Sequence, residues 1–144
     1  MHRDVKPANV FFTGRGVVKV GDVGLAKVIE GTTAALGTFA GTAAYMAPEV
    51  LFEEPYNAKC DAWSLGVVLY EMMALSKPFD APGLGSLMDL IRAGGYDSTP
   101  LASYSADARG LVSRLLVVDL SSRASVVDVL SLPFVLGHIR RLES

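Results

Sequence analysis

Residues 2–9 read His2-Arg3-Asp4-Val5-Lys6-Pro7-Ala8-Asn9. Imidazole, guanidinium, carboxylate, ammonium and carboxamide groups are crowded beside a proline, so the segment reads as a polar loop rather than a helix or strand. Immediately after it, Val10 to Thr13 and Val17 to Val20 are short β-branched and aromatic runs around Gly14-Arg15-Gly16, the pattern of a β-hairpin. Asp22 to Glu49 is rich in Gly, Thr and Ala with no sustained period. A loop of that length is usually functional.

Beyond Asn57 the pattern becomes helical. Asn57 is a candidate cap for a helix from Ala58 to about Ser76, with Trp63, Val67, Tyr70 and Ala74 at three- and four-residue spacings and Pro78 as its stop. It is apolar on most of its surface, which predicts burial in the middle of a domain. Ser86-x-x-Asp89 resembles a capping signal for a short helix that stops at Gly94-Gly95. Ser105 opens a helix through Val117 with Ala108, Leu111, Val112, Leu115 and Leu116 inward. Ser125-x-x-Asp128 starts another, ended near Pro133.

Composition narrows the class. The chain has 144 residues, 51% of them hydrophobic and 19% charged, which excludes a disordered polymer. A formal charge of −2 gives no bulk attraction for nucleic acid or an anionic membrane, so neither is expected as a partner. The longest apolar stretch, Ala62 to Tyr70 between Asp61 and Glu71, is too short to span a bilayer. The single Cys60 excludes a disulfide framework within the chain and reads as a packed thiol. His138 reads as a surface histidine and Met72-Met73 as core filler.

The loop at 2–9 resembles the catalytic loop of eukaryotic protein kinases: H-R-D, a Lys two residues on, and an Asn five residues after the Asp. Asp22-Val23-Gly24, thirteen residues after Asn9, resembles the metal-binding D-F-G element. Gly41-Thr42-Ala43-Ala44-Tyr45-Met46-Ala47-Pro48-Glu49 contains the A-P-E element, and Asp61-Ala62-Trp63-Ser64-Leu65-Gly66 resembles the start of the large lobe's central helix. Arg123 stands where that family keeps an arginine paired with the A-P-E glutamate. An H-R-D or D-x-G alone is common by chance, Asp61 alone is an ordinary helix-start acid, and Glu49 and Arg123 alone are ordinary surface charges. Together and in order they are not.

The resemblance implies a mostly α fold: the C-terminal lobe of a protein kinase domain over residues 1–144, with one small β-hairpin, an activation segment at 22–49, and the N-terminal lobe absent. It implies ATP and Mg2+ as cofactors and transfer of the γ-phosphoryl group to a protein Ser or Thr. Asp4 would orient or accept the proton of the substrate hydroxyl, and Lys6 would place positive charge on the moving phosphoryl group. Thr42 would hydrogen-bond to both, joining the substrate-docking loop to the catalytic loop. Asn9 and Asp22 would supply oxygen ligands to the metal, Phe11 would lie beneath the adenine ring, and Gly24 would let the metal-binding segment flip. His2, Gly24, Glu49, Asp61 and Arg123 would be structural. Arg3 would receive a phosphate on Thr38, ordering the activation segment.

Lys6 and Thr42 follow the serine/threonine pattern. Lys6-Pro7-Ala8-Asn9-Val10-Phe11 and Gly16-Val17-Val18-Lys19-Val20-Gly21-Asp22 look most like the NIMA-related (Nek) group. That comparison implies a cytoplasmic protein, with cytoskeletal or centrosomal association as the habit of the group. Val23 departs mildly, since Val is smaller than the usual Phe or Leu and stiff at its first torsion. A larger departure is that no G-x-G-x-x-G occurs in the chain, nor any strand lysine with its helix glutamate. A Met directly before H-R-D is common in this family, so Met1 reads as an internal residue of a longer kinase whose small lobe completes the ATP site. The 144 residues alone are expected to transfer phosphate poorly. The competing reading is an inactive kinase-derived fragment or binding module.

Overall fold

The computed structural model describes residues 1–21 and 41–142. A 3-10 turn at Pro7–Asn9 leads into strand β1 (Val10–Phe12), which pairs antiparallel with β2 (Val18–Val20) in the register Val10↔Val20, Phe11↔Lys19 and Phe12↔Val18. Gly16 makes the turn possible, because its φ of 76° lies in the left-handed region. The helices are α1 (Pro48–Leu51), α2 (Lys59–Ala74), α3 (Leu84–Ala93), α4 (Ala106–Leu115), α5 (Val126–Leu130) and α6 (Pro133–Leu142), with a 3-10 turn at Thr99–Leu101. Among the described residues the fold is mostly helical with one hairpin, as expected.

Helix α2 is the axis of the core. It buries Cys60, Ala62, Trp63, Ser64, Gly66, Val67, Val68 and Tyr70, residues that point around most of its circumference. Trp63 stacks on Phe79 at 5.5 Å between ring centroids, and Val67, Tyr70, Ile91, Leu101, Val112 and Leu116 close the main cluster. Each such side chain removed from water contributes about 1.5–3 kcal/mol. Gly66 sets the spacing to α4: a Cβ there would stand 2.7 Å from the Leu115 Cβ and 2.9 Å from a Leu116 methyl. A smaller cluster of Ala62, Leu115 and Val129 ties α5 to the same axis.

Local chemistry explains three of the helix ends. Ser105 Oγ accepts from the Ala108 amide at 3.2 Å, and Ser125 with Asp128 forms a complete capping box. Gly94, at φ 72°, ends α3 by donating its amide to Leu90 O.

Several expectations need correction. Helix α2 starts one residue later than expected, at Lys59 behind Ala58, and Asn57 Oδ1 accepts from the Lys59 amide at 2.9 Å, so Asn57 satisfies the first amide of the helix. Helix α2 stops at Ala74, because Leu75 enters the left-handed region at φ 57°, before Pro78 can act. Ser86 is not a cap, since α3 starts at Leu84 behind Gly83. Helix α4 ends at Leu115 rather than Val117. Helix α5 ends at Leu130, near Pro133 as expected, and Pro133 also opens α6, since a missing N–H costs nothing in the first turn. Within 22–49 the described part is not helix-free: residues 41–43 are helical and α1 begins at Pro48. Met72 is 65% exposed, so only Met73 packs against the core.

Candidate active site

The polar loop is held from below by α2. The carboxylate of Asp61, in the helix's first turn, accepts from two successive backbone amides, His2 at 2.7 Å and Arg3 at 2.8 Å. Arg3 has φ 69°, a conformation that costs an L-residue about 1–2 kcal/mol and that this grip sustains. His2 links the loop to the end of β2. Its Nδ1 accepts from the Asp4 amide at 3.3 Å, so Nε2 carries the proton and donates to Gly21 O at 3.1 Å.

Asp4 stands at the centre. Its Oδ1 lies 3.1 Å from Lys6 Nζ, and its Oδ2 accepts from Asn9 Nδ2 at 2.9 Å. Asn9 is buried, and its amide nitrogen also donates to Asp4 O at 2.8 Å. Both partners are acceptors, so the amide is oriented with its nitrogen toward Asp4, which leaves the carboxamide oxygen as the side chain's acceptor atom. Lys6 Nζ donates to Thr42 Oγ1 at 3.5 Å, the outer limit of a hydrogen bond. Thr42 therefore meets Lys6, while a bond from Thr42 to Asp4 is not found among the described residues. The Asp4 side chain is 30% exposed and Lys6 23%, which leaves the pair approachable from solvent.

The hairpin carries the next part. Gly21 donates its amide to Asn9 O at 2.8 Å, extending the ladder to the end of the 3-10 turn. The Phe11 ring covers Gly21 so closely that a Cβ there would stand 2.7 Å from its Cε2. The ring is 53% exposed. Asp22, Gly24 and Thr38 lie outside the described residues, as does Val23.

Arg3 is apart from this centre. Its guanidinium carbon lies 5.4 Å from the centroid of the Tyr56 ring. Farther away, Arg123 clasps Glu49: Nη1 to Oε1 is 2.6 Å and Nη2 to Oε2 is 2.9 Å. Its remaining donors reach the carbonyls of Val117, Val118 and Lys59, and the cation sits 5.1 Å from the Trp63 ring. Both residues are buried, so the charges compensate each other out of water.

Sequence reasoning missed the anchor of the 41–49 segment. Tyr45 O accepts from Ser64 Oγ at 2.6 Å, and Tyr45 OH donates to Glu71 Oε2 at 2.6 Å. Burial, and then the Glu71 carboxylate, pushes the Tyr45 phenol far above its usual range. The available signal was Glu71 itself, a carboxylate interrupting an apolar helix. Cys60 is packed as expected. Burial first, then Asp61 and Glu49, raise its thiol pKa, which favours the thiol over the nucleophilic thiolate.

A family model for the protein kinase domain matches residues 1–135. The chain belongs to the protein kinase family. Relatives at similar distance agree: "Putative serine/threonine-protein kinase A" of Trypanosoma brucei brucei is 42% identical over 137 residues, covering 94% of this chain and 32% of the relative. Human "Serine/threonine-protein kinase Nek2" is 42% identical over 135 residues, covering 94% of this chain and 30% of the relative. "Probable serine/threonine-protein kinase nek3" of Dictyostelium discoideum is 41% identical over 139 residues, covering 94% of this chain and 12% of the relative. All three are named serine/threonine-protein kinases and two carry the name Nek; the chain spans about a third or less of the length of these relatives. No helix among its described residues is long and apolar enough to cross a membrane.

Proposed function

We propose that these residues furnish the large-lobe half of the catalytic centre of a serine/threonine protein kinase, acting within a longer polypeptide. The observation that carries the reading is the division of the Asp4 carboxylate: one oxygen faces Lys6, the other faces Asn9, and the side chain stays open to solvent.

The donor set suits the implied cofactors. Asn9 offers a carboxamide oxygen of the kind a hard cation prefers, held by two hydrogen bonds on its nitrogen. Asn9 would hold Mg2+ together with Asp22, and the open ring of Phe11 is an apolar surface on which an adenine could rest. Bound Mg2+-ATP supplies the phosphoryl group and neutralises part of its charge.

The chain's own residues do the rest. Asp4 orients the substrate hydroxyl and receives its proton at a carboxylate oxygen. Lys6, held between Asp4 and Thr42, directs its ammonium at charge developing on the transferred group. Thr42 ties the 41–49 segment, as the docking surface for a protein substrate, to that ammonium. Arg3 receives a phosphate on Thr38 and so reports the state of the activation segment. No glycine-rich phosphate-covering loop occurs in these 144 residues, so that part of the ATP site comes from elsewhere in the polypeptide.

The test is transfer of radiolabelled phosphate from ATP to Ser- and Thr-containing protein substrates by the full-length kinase, wild type and Asp4→Asn. Transfer that the variant loses supports the reading. Nucleotide binding without transfer by either protein supports the alternative, a kinase-derived binding module.

A further inference from the structure

The exposed loop at 53–58 carries Tyr56 up against Arg3. Tyr56 is 42% exposed, and its ring forms the floor under the Arg3 guanidinium at 5.4 Å. Together with Val50, Cys60, Asp61 and Ser64 they line a small cavity of about 50 Å³. Arg3 is exposed, and no ion pair to it is found among the described residues. The charges around it do not compete strongly. Asp61 spends both oxygens on backbone amides, and Glu54 lies 3.5 Å from Arg92. Glu53 and Glu54 precede the tyrosine in sequence.

We propose that Tyr56 is a phosphorylation site whose phosphate is captured by the guanidinium of Arg3. In that modification the phenolic oxygen bonds to the γ-phosphorus of ATP and the bond from that phosphorus to the bridging oxygen breaks. ADP leaves with the electron pair, and the phenolic proton passes to the base of a modifying tyrosine kinase. The phosphate extends the side chain past the phenolic oxygen. Arg3, already seated on the ring, exchanges a weak cation–π contact for a charge-assisted bidentate one. The consequence rests on the regulatory reading of Arg3 given above: a guanidinium held at Tyr56 is withdrawn from a phosphate on Thr38, so modification at Tyr56 opposes activation.

The experiment treats the full-length protein with a broad-specificity tyrosine kinase and ATP, maps the phosphate, and follows its second ionisation by phosphorus NMR. The exposed Tyr104 serves as internal control. Capture lowers the Tyr56 phosphate midpoint by about half a pH unit or more relative to the Arg3→Gln variant. The treated wild type also loses activity several-fold relative to treated Tyr56→Phe, which keeps the ring but cannot be modified. Modification of Tyr104 without Tyr56, or identical midpoints with and without Arg3, overturns the proposal. Failure of the underlying regulatory reading is separable: activity would then be indifferent to Thr38 and Arg3 while the phosphorus midpoint still moved with Arg3.

Discussion

Asp61 holds Arg3 in a left-handed backbone conformation: its Oδ1 accepts the Arg3 amide at 2.8 Å while Arg3 sits at φ 69°. The same carboxylate takes the neighbouring His2 amide, so one side chain of the core helix sets the path of the loop that carries Asp4. Asp61→Ala is therefore expected to destabilise the protein by about 1.5–3 kcal/mol, the range for hydrogen bonds to a charged group. Asp61→Asn, which keeps one acceptor, should lose less. Thermal unfolding with amide hydrogen exchange at Arg3 measures both, and unchanged exchange in the alanine variant would contradict the clamp.

The Glu49–Arg123 pair makes a sharper demand on stability. Removing either partner strands a buried charge and should cost about 3–5 kcal/mol. Replacing both with Leu and Met should cost less than the sum of the single changes. A double-mutant cycle by denaturant unfolding gives the coupling, and additive losses would argue against a compensated pair.

Activity should hinge on Asp4. In the full-length kinase, Asp4→Asn is expected to lower kcat by about 10²–10⁴-fold, the contribution typical of a positioned general base, with the unfolding temperature little changed. A variant of near wild-type kcat would remove Asp4 from the chemistry.

Acid sensitivity has an identifiable source near α5. Hydrogen bonds from Ser121 and then Ser122 hold Asp119 at about 2, below its ordinary 3.8. A depressed folded-state value stabilises the protein above the unfolded value, and that contribution is lost as pH falls from about 4 to about 2. Asp97 and Asp128 are lowered in the same direction by bonds from Thr99 and Ser125. Asp119→Asn should flatten the fall of unfolding temperature across that window, and a slope equal to wild type would show that Asp119 does not contribute.

The tyrosines act at the other end of the pH scale. Burial is the leading cause that raises Tyr45, Tyr70 and Tyr96 above the ordinary value of 10.0. Groups kept neutral by folding stabilise it below the unfolded value and lose that contribution as pH rises past it. Stability should therefore fall above about pH 10, with Tyr45→Phe less sensitive there than wild type. Alkaline unfolding monitored by tyrosinate absorbance checks this, and equal sensitivity would exclude Tyr45 as a source.

How far the fold was legible depends on the range of each signal. The caps at Ser105 and Ser125 act over three residues, and both were readable from spacing alone. The hairpin was readable because turn glycines and β-branched runs are local chemistry. Pro133 marked the end of α5, but the helix it opens was not legible, because the residue type is compatible with a helix start and with a helix end, and the packing of α5 against α6 shows that it serves as both. Met72 misled because α2 is apolar almost all round, so periodicity does not say which sector stays exposed.

In the site, the sequence alone determined which chemical groups exist and in what order: Asp4, Lys6 and Asn9 lie within one short loop, where backbone geometry keeps them near one another. Tertiary structure decided the contacts between distant segments. Asp61 reaches the loop across 58 and 59 residues, Arg123 reaches Glu49 across 74, and Glu71 reaches Tyr45 across 26. Arg3 comes to rest on Tyr56 in the same way. Such pairs carry no local preference, and of them only Glu49–Arg123 was expected, from the family resemblance rather than from any local pattern. They form because burial of Trp63, Val67 and Tyr70 fixes α2 in the core, and the polar groups at its ends and flanks must then find partners there.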